Sequence, residues 1–86
     1  MNTYLITYDL KYKSEYNSLY VAIKGLGRWW HYLDSTWIVK TNMSAQQIWN
    51  LLGKHIVTSD RMLVIKIDIS DKQGWLPKDA WDWINS

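Results

Sequence analysis

Arg28-Trp29-Trp30-His31-Tyr32-Leu33-Asp34-Ser35-Thr36-Trp37-Ile38-Val39 packs three tryptophans, a tyrosine, a histidine and an arginine into two strand-like runs that meet at Asp34-Ser35. Its period of two predicts a hairpin with strands near 28–33 and 35–41. Alternation sets Arg28, Trp30 and Tyr32 on one face, with Trp29, His31 and Leu33 on the other. In the second strand Trp37 and Val39 share one face, and Thr36, Ile38 and Lys40 share the other. One side of the hairpin must therefore pack on a core while the other looks outward.

Upstream, residues 2–10 alternate as well. Tyr4, Ile6 and Tyr8 lie on one face, and Thr3, Leu5, Thr7 and Asp9 on the other, which predicts a first strand. Ser14 reads as a helix N-cap. Tyr16, Leu19, Tyr20, Ile23 and Leu26 then recur at helical spacing until Gly25 and Gly27 end the helix. Downstream, Ser44-Ala45-Gln46-Gln47 is a capping box, followed by a stripe of Ile48, Leu51, Leu52 and Ile56 with Trp49 at its edge. A last strand is predicted over 61–69, with Leu63, Ile65, Ile67 and Ile69 facing away from Met62, Val64, Lys66 and Asp68. Pro77 fits the first turn of a short helix carrying Ala80, Trp81, Trp83 and Ile84.

The order strand, helix, strand, strand, helix, strand is the split βαβ arrangement of ferredoxin-like α+β domains. It predicts one domain over residues 1–86, with two helices on one face of a four-stranded antiparallel sheet. The tail over 70–86 carries three tryptophans and must fold back on the domain or on a dimer partner. The open face is expected to carry Leu5, Thr7, Asp9, Ile38, Lys40, Val64 and Lys66, as a ligand platform or a homodimer seam.

Composition narrows the class further. At 86 residues the chain buries only about 60–65% of its unfolded surface, so a dimer would help it. It has no cysteine, hence no disulfide framework or thiolate metal site. No apolar run approaches the ~18–20 residues of a membrane span, and Met1-Asn2-Thr3-Tyr4 lacks the layout of a signal peptide. A cytoplasmic protein with no membrane partner is the expectation. A net charge of +2 is too mild for a long-duplex binder, which relies on many phosphate contacts. The chain holds seven Trp and six Tyr but no Phe. Every Trp and Tyr ring thus brings an N–H or O–H that wants water, a partner or a ligand.

Arg28, Trp30 and Tyr32, if outward, would clamp a phosphate and stack a base, each stack worth ~1–3 kcal/mol. The same set could equally form an aromatic dimer seam. Lys40, Lys66 and Thr7 would complete the ligand face, or the lysines would simply guard sheet edges. His31 is a candidate hydrogen-bonding contact. His31 and His55 are solitary, so zinc is not expected. Asp34-Ser35-Thr36 is a ligand rim or a plain turn, and Ser35 lacks a base that would make it a nucleophile.

The runs Tyr4-Leu5-Ile6-Thr7-Tyr8-Asp9-Leu10, Gly27-Arg28-Trp29-Trp30-His31 and Leu33-Asp34-Ser35-Thr36-Trp37-Ile38-Val39-Lys40, with Leu63-Val64-Ile65, resemble the SinR-like family. That family is related to the small subunit of the CRISPR spacer-acquisition complex. The resemblance implies a ferredoxin-like fold, a homodimer, and nucleotide or short nucleic acid as the ligand class. It also implies a second possibility at Asp9, where nuclease relatives are thought to hold Mg²⁺ at the end of the first strand. The loop Leu10-Lys11-Tyr12-Lys13-Ser14-Glu15-Tyr16 departs from the acidic and arginine-rich segment common there. Asp9 as a turn acceptor or a lysine partner is the structural alternative. Three functions follow, in order: a non-catalytic protein holding or sequestering a cyclic or modified nucleotide, as in phage defence; an Mg²⁺-dependent nuclease built on Asp9; and an adaptor that docks through its aromatic tail.

Overall fold

The computed structural model describes residues 1–12 and 16–86. The fold is α+β. Its elements run β1 (Asn2–Asp9), α1 (Asn17–Lys24), β2 (Arg28–Leu33), β3 (Thr36–Thr41), α2 (Ala45–Leu52), a 3₁₀ turn (Gly53–His55), β4 (Arg61–Lys66) and α3 (Lys78–Ile84). The strands form one antiparallel sheet in the order β2-β3-β1-β4.

The alternation in β1 and β3 fixes what lies under the first two helices. Tyr4, Ile6, Trp37 and Val39 share a buried cluster with Leu19 and Ile23 of α1 and Ile48 and Leu52 of α2. Each large side chain fully buried there contributes on the order of 1.5–3 kcal/mol relative to exposure. The predicted capping box starts α2. Ser44 Oγ accepts the Gln47 N–H at 3.1 Å, and Gln47 Oε1 accepts the Ser44 N–H at 2.8 Å. Gly25 ends α1. Gly27 has a different task, because a Cβ there would overlap the Lys40 carbonyl on β3. The hairpin can start this close to β3 only with a bare Cα.

The opposite face of the sheet is half covered. Helix α3 lies across it, with Ala80 and Ile84 packed on Trp30 and Ile38, and Leu5, Ile67, Ile69, Leu76, Trp81 and Trp83 around them. Trp30 Nε1 donates to the Ala80 carbonyl at 3.1 Å. Tail and sheet thus form a second, smaller core.

Several expectations need correction. Within the described residues α1 begins at Asn17, and the predicted cap at Ser14 lies outside them. Leu51 is exposed and lies off the α2 stripe. Regular pairing of β4 ends at Lys66 rather than Ile69, with one further bond from the Ile67 N–H to the Thr3 carbonyl at 2.9 Å. In the β1–β4 register Tyr4 opposes Lys66 and Ile6 opposes Val64. Directly paired residues share a face, so Lys66 and Val64 lie on the α1/α2 side, and the other face carries Leu63 and Ile65 instead. Strand β2 also breaks its own alternation. Trp30 opposes Ile38 while Leu33 opposes Thr36, which leaves one extra residue on β2, a bulge. The bulge turns Leu33 to the Thr36 side, away from Trp29.

Gly27→Ala should cost about 1–3 kcal/mol, because the neighbour is strand backbone that cannot rotate away. Urea unfolding should show a lower midpoint with an unchanged slope. An unchanged midpoint would mean that the hairpin is not held this tightly.

Candidate functional site

The cations expected to receive a ligand are already engaged. Arg28 Nη2 donates to Ser86 Oγ at 2.8 Å, and its guanidinium carbon lies 5.6 Å from the Trp83 ring centroid. Lys40 is only 8% exposed. Its Nζ donates to the main-chain oxygens of Ser86 at 2.8 Å and Trp83 at 3.3 Å, and sits 4.7 Å from the Trp83 ring centroid. Cations at a helix C-terminus meet the negative end of the peptide dipoles, so Arg28 and Lys40 anchor α3. Burial, and then the Arg28 charge, lower the Lys40 pKa from its usual value. Trp30, placed outward in the sequence reading, is only 2% exposed beneath α3. The face expected to be open is therefore closed at these three residues.

The other expected ligand residues are scattered. Tyr32 is partly exposed and tilts against Trp30, ring centroids 5.3 Å apart. Thr7 Oγ1 donates to the Ser35 carbonyl at 3.2 Å and lies 3.2 Å from Thr36 Oγ1. Lys66 is on the α1/α2 side of the sheet. His31 stacks on Trp37 at 3.7 Å and 10°, and its Nε2–H donates to the Asp34 carbonyl at 3.0 Å.

A cleft of about 180 Å³ opens instead at the end of β1, lined by Tyr8, Asp9, Leu10, Tyr20, Asp34 and Ser35. The antiparallel sheet builds it, because the Tyr8 N–H donates to the Ser35 carbonyl at 3.1 Å and so sets the strand end beside the β2–β3 turn. Helix α1 supplies Tyr20 as the facing wall, with its ring centroid 6.2 Å from that of Tyr8. Tyr8 is locked by the Trp37 Nε1–H donated to its hydroxyl at 2.9 Å. Burial pushes the Tyr8 phenol above its ordinary pKa despite that bond, so it stays neutral, and its O–H donates to the Asp34 carbonyl at 3.5 Å. Behind the wall Tyr20 stacks on Trp37, centroids 6.2 Å apart at 23°, and Trp29 tilts on Trp37 at 5.6 Å. The Lys24 ammonium lies 5.0 Å from the Trp29 ring centroid and closes the row.

Asp34 and, at the end of β1, Asp9 both line this cleft, and among the described residues neither carboxylate has a hydrogen-bond or ion-pair partner. Among the described residues Asp9 meets neither a turn N–H nor a lysine. Two carboxylates over aromatic walls suit a planar ligand with N–H donors and repel a phosphate. Among the described residues no set of three His, Cys, Asp or Glu side chains is gathered for a metal ion.

Among the described residues the most heavily bonded carboxylate is that of Asp60. Asp60 is nearly buried. It accepts the main-chain N–H of Lys11 at 2.9 Å and of Val57 at 3.0 Å, and the Tyr16 hydroxyl at 2.8 Å. Burial alone would raise its pKa, but those two N–H groups, with Tyr16, hold it below the ordinary aspartate value. Asp60 thereby ties the chain leaving β1 to the entry of β4. No signal in the sequence marks it, since Lys11 and Tyr16 are remote along the chain and the Lys11 and Val57 donors are main-chain N–H groups.

No protein-family model, curated protein or solved structure matches this chain.

Trp30→Ala should cost about 3–5 kcal/mol and free α3, read as red-shifted tryptophan emission and protease cleavage within 70–86. A stable variant with an unmoved spectrum would mean that Trp30 is not beneath the tail. Because its folded pKa is lowered, Asp60 stabilises the fold fully above about pH 4, and the contribution fades as pH falls through the folded pKa. Asp60→Asn should be less stable at neutral pH and show a shallower loss on acidification, measured by thermal melts from pH 7 to pH 2. Parallel curves for the two proteins would refute the assignment.

Proposed function

We propose that this chain is a small non-catalytic binding protein, on a ferredoxin-like scaffold of the SinR-like kind, that holds one base of a nucleotide-type ligand in the cleft at the end of β1. The observation that carries this reading is the pairing of two tyrosine rings with two carboxylates, unpartnered among the described residues, around about 180 Å³. That volume lies below the ~300–1,000 Å³ of sites for drug-sized ligands, so it suits a single base and leaves sugar and phosphate outside. The Tyr8 and Tyr20 rings offer stacking surface, and Asp9 and Asp34 accept from exocyclic amines and ring N–H groups. Adenine, guanine and cytosine present such amines, whereas uracil and thymine do not. A cyclic or modified nucleotide held this way would be sequestered rather than transformed.

Isothermal calorimetry against mono-, di- and cyclic nucleotides tests the reading. Amine-bearing bases should bind, and uracil and thymine nucleotides should bind at least tenfold more weakly. Tyr20→Ala should weaken affinity about 5- to 150-fold, the equivalent of one lost stack at ~1–3 kcal/mol. Asp34→Asn should reduce discrimination between the two groups of bases. Absence of binding across the panel, or affinities untouched by both variants, would remove the proposal.

A second reading, an adaptor docking through the tail, is favoured by one observation. Trp75 is 99% exposed, whereas Trp81 and Trp83 of the same tail are partly buried in the second core. Trp and Tyr dominate the centres of protein interfaces, and a Trp75→Ala pull-down comparison separates this reading from the first.

A further inference from the structure

We propose that two copies of this chain pair through the outer edge of β4, in antiparallel register about Val64, to give one continuous eight-stranded sheet. The inference is independent of the ligand reading, because neither Leu63 nor Ile65 lines the cleft.

The hydrogen-bond parity of the sheet exposes this edge. The Ile67 N–H donates to the Thr3 carbonyl, and the register pairs Leu5 with Ile65, Thr7 with Leu63 and Asp9 with Arg61. Odd-numbered residues of β4 therefore spend their main-chain groups on β1, and Met62, Val64 and Lys66 point theirs outward. Unpaired edges are usually blunted by charge, proline, a bulge or a cover. Here β4 runs for six residues without proline. Among the described residues, α2 lies beside this edge and leaves an open groove of about 290 Å³, lined by Ala45, Gln46, Trp49, Met62, Leu63 and Val64.

A second copy fits this edge by its own sequence. Antiparallel pairing about Val64 sets Val64 against Val64 and Met62 against Lys66 of the other copy, so all outward groups find partners in both directions. On the face away from α1 and α2, Leu63 falls opposite Ile65 of the other copy, twice per dimer. Both are unusually exposed for their type, at 52% and 46%, and side-by-side pairing covers them. The other copy's Val64 and Lys66 stems point to the side where the groove beside Trp49 has room. The two Lys66 side chains are offset by four residues, ~13 Å along the strand. That exceeds the Debye length of about 8 Å at physiological salt, so the one lysine on the edge does not block self-pairing.

The test is sedimentation velocity over a concentration series, with circular dichroism as the folding check. Wild type should dimerise. Leu63→Glu with Ile65→Glu should be monomeric and folded, since both sites are exposed and two like-charged cross-strand pairs would face each other. Leu63→Lys with Ile65→Glu should restore the dimer, because this register sets each lysine opposite a glutamate. Val64→Pro removes an outward N–H, which edge strands tolerate, and alters a side chain packed against the main core; it should give a monomer that is less heat-stable but still folded. A wild type that stays monomeric throughout the series, a dimer unmoved by the double glutamate variant, or failure of the opposite-charge pair to restore it would overturn the proposal.

Discussion

Strand β3 is buried on both of its faces, and most of the molecule follows from that. Trp37 and Val39 lie under α1 and α2, while Ile38 and Lys40 lie under α3. A half-buried strand in a two-layer domain would leave Ile38 and Lys40 in water. Here the tail supplies a third layer over half the sheet, and the main-chain oxygens at its end satisfy the Lys40 ammonium. Burying a cation is costly unless it is hydrogen-bonded, so the contact fixes where the helix ends as well as where it lies. The residues best suited by chemistry to seize a phosphate are thereby committed to holding the chain together.

This commitment shows why the sequence was readable in some places and not in others. The β2–β3 hairpin, the capping box at Ser44 and the Trp37/Val39 core face are local, set by residues within a few positions of one another. The face of β4 is not local. Its pattern alternates equally well in either sense, and only the pairing with β1 decides that Val64 and Lys66 turn toward the helices; a one-residue slip would invert the strand. The bulge between Trp30 and Leu33 has no mark in the residue types. It alone separates Leu33 from the face of Trp29.

The cleft was half visible. Tyr8, Asp9, Asp34 and Ser35 each stood out as a strand end or a turn. An antiparallel pairing of the predicted strands places the first strand's end against the turn, so the register was a signal that could have joined them. Tyr20 belonged to a helical stripe and read as core, which it partly is, since it packs on Trp37 as well as lining the cavity. Asp60 lay beyond such reasoning, because it works through peptide N–H groups that every sequence possesses.

The spread of tryptophan environments gives the molecule an optical division of labour. Trp37 is sealed in the main core and stacked by His31, Trp30 is sealed beneath the tail, and Trp75 stands in water. Emission from Trp30, Trp81 and Trp83 tracks the second core, and emission from Trp29 and Trp37 tracks the wall behind the cleft. The two layers on either side of β3 thus hold separate sets of indole rings.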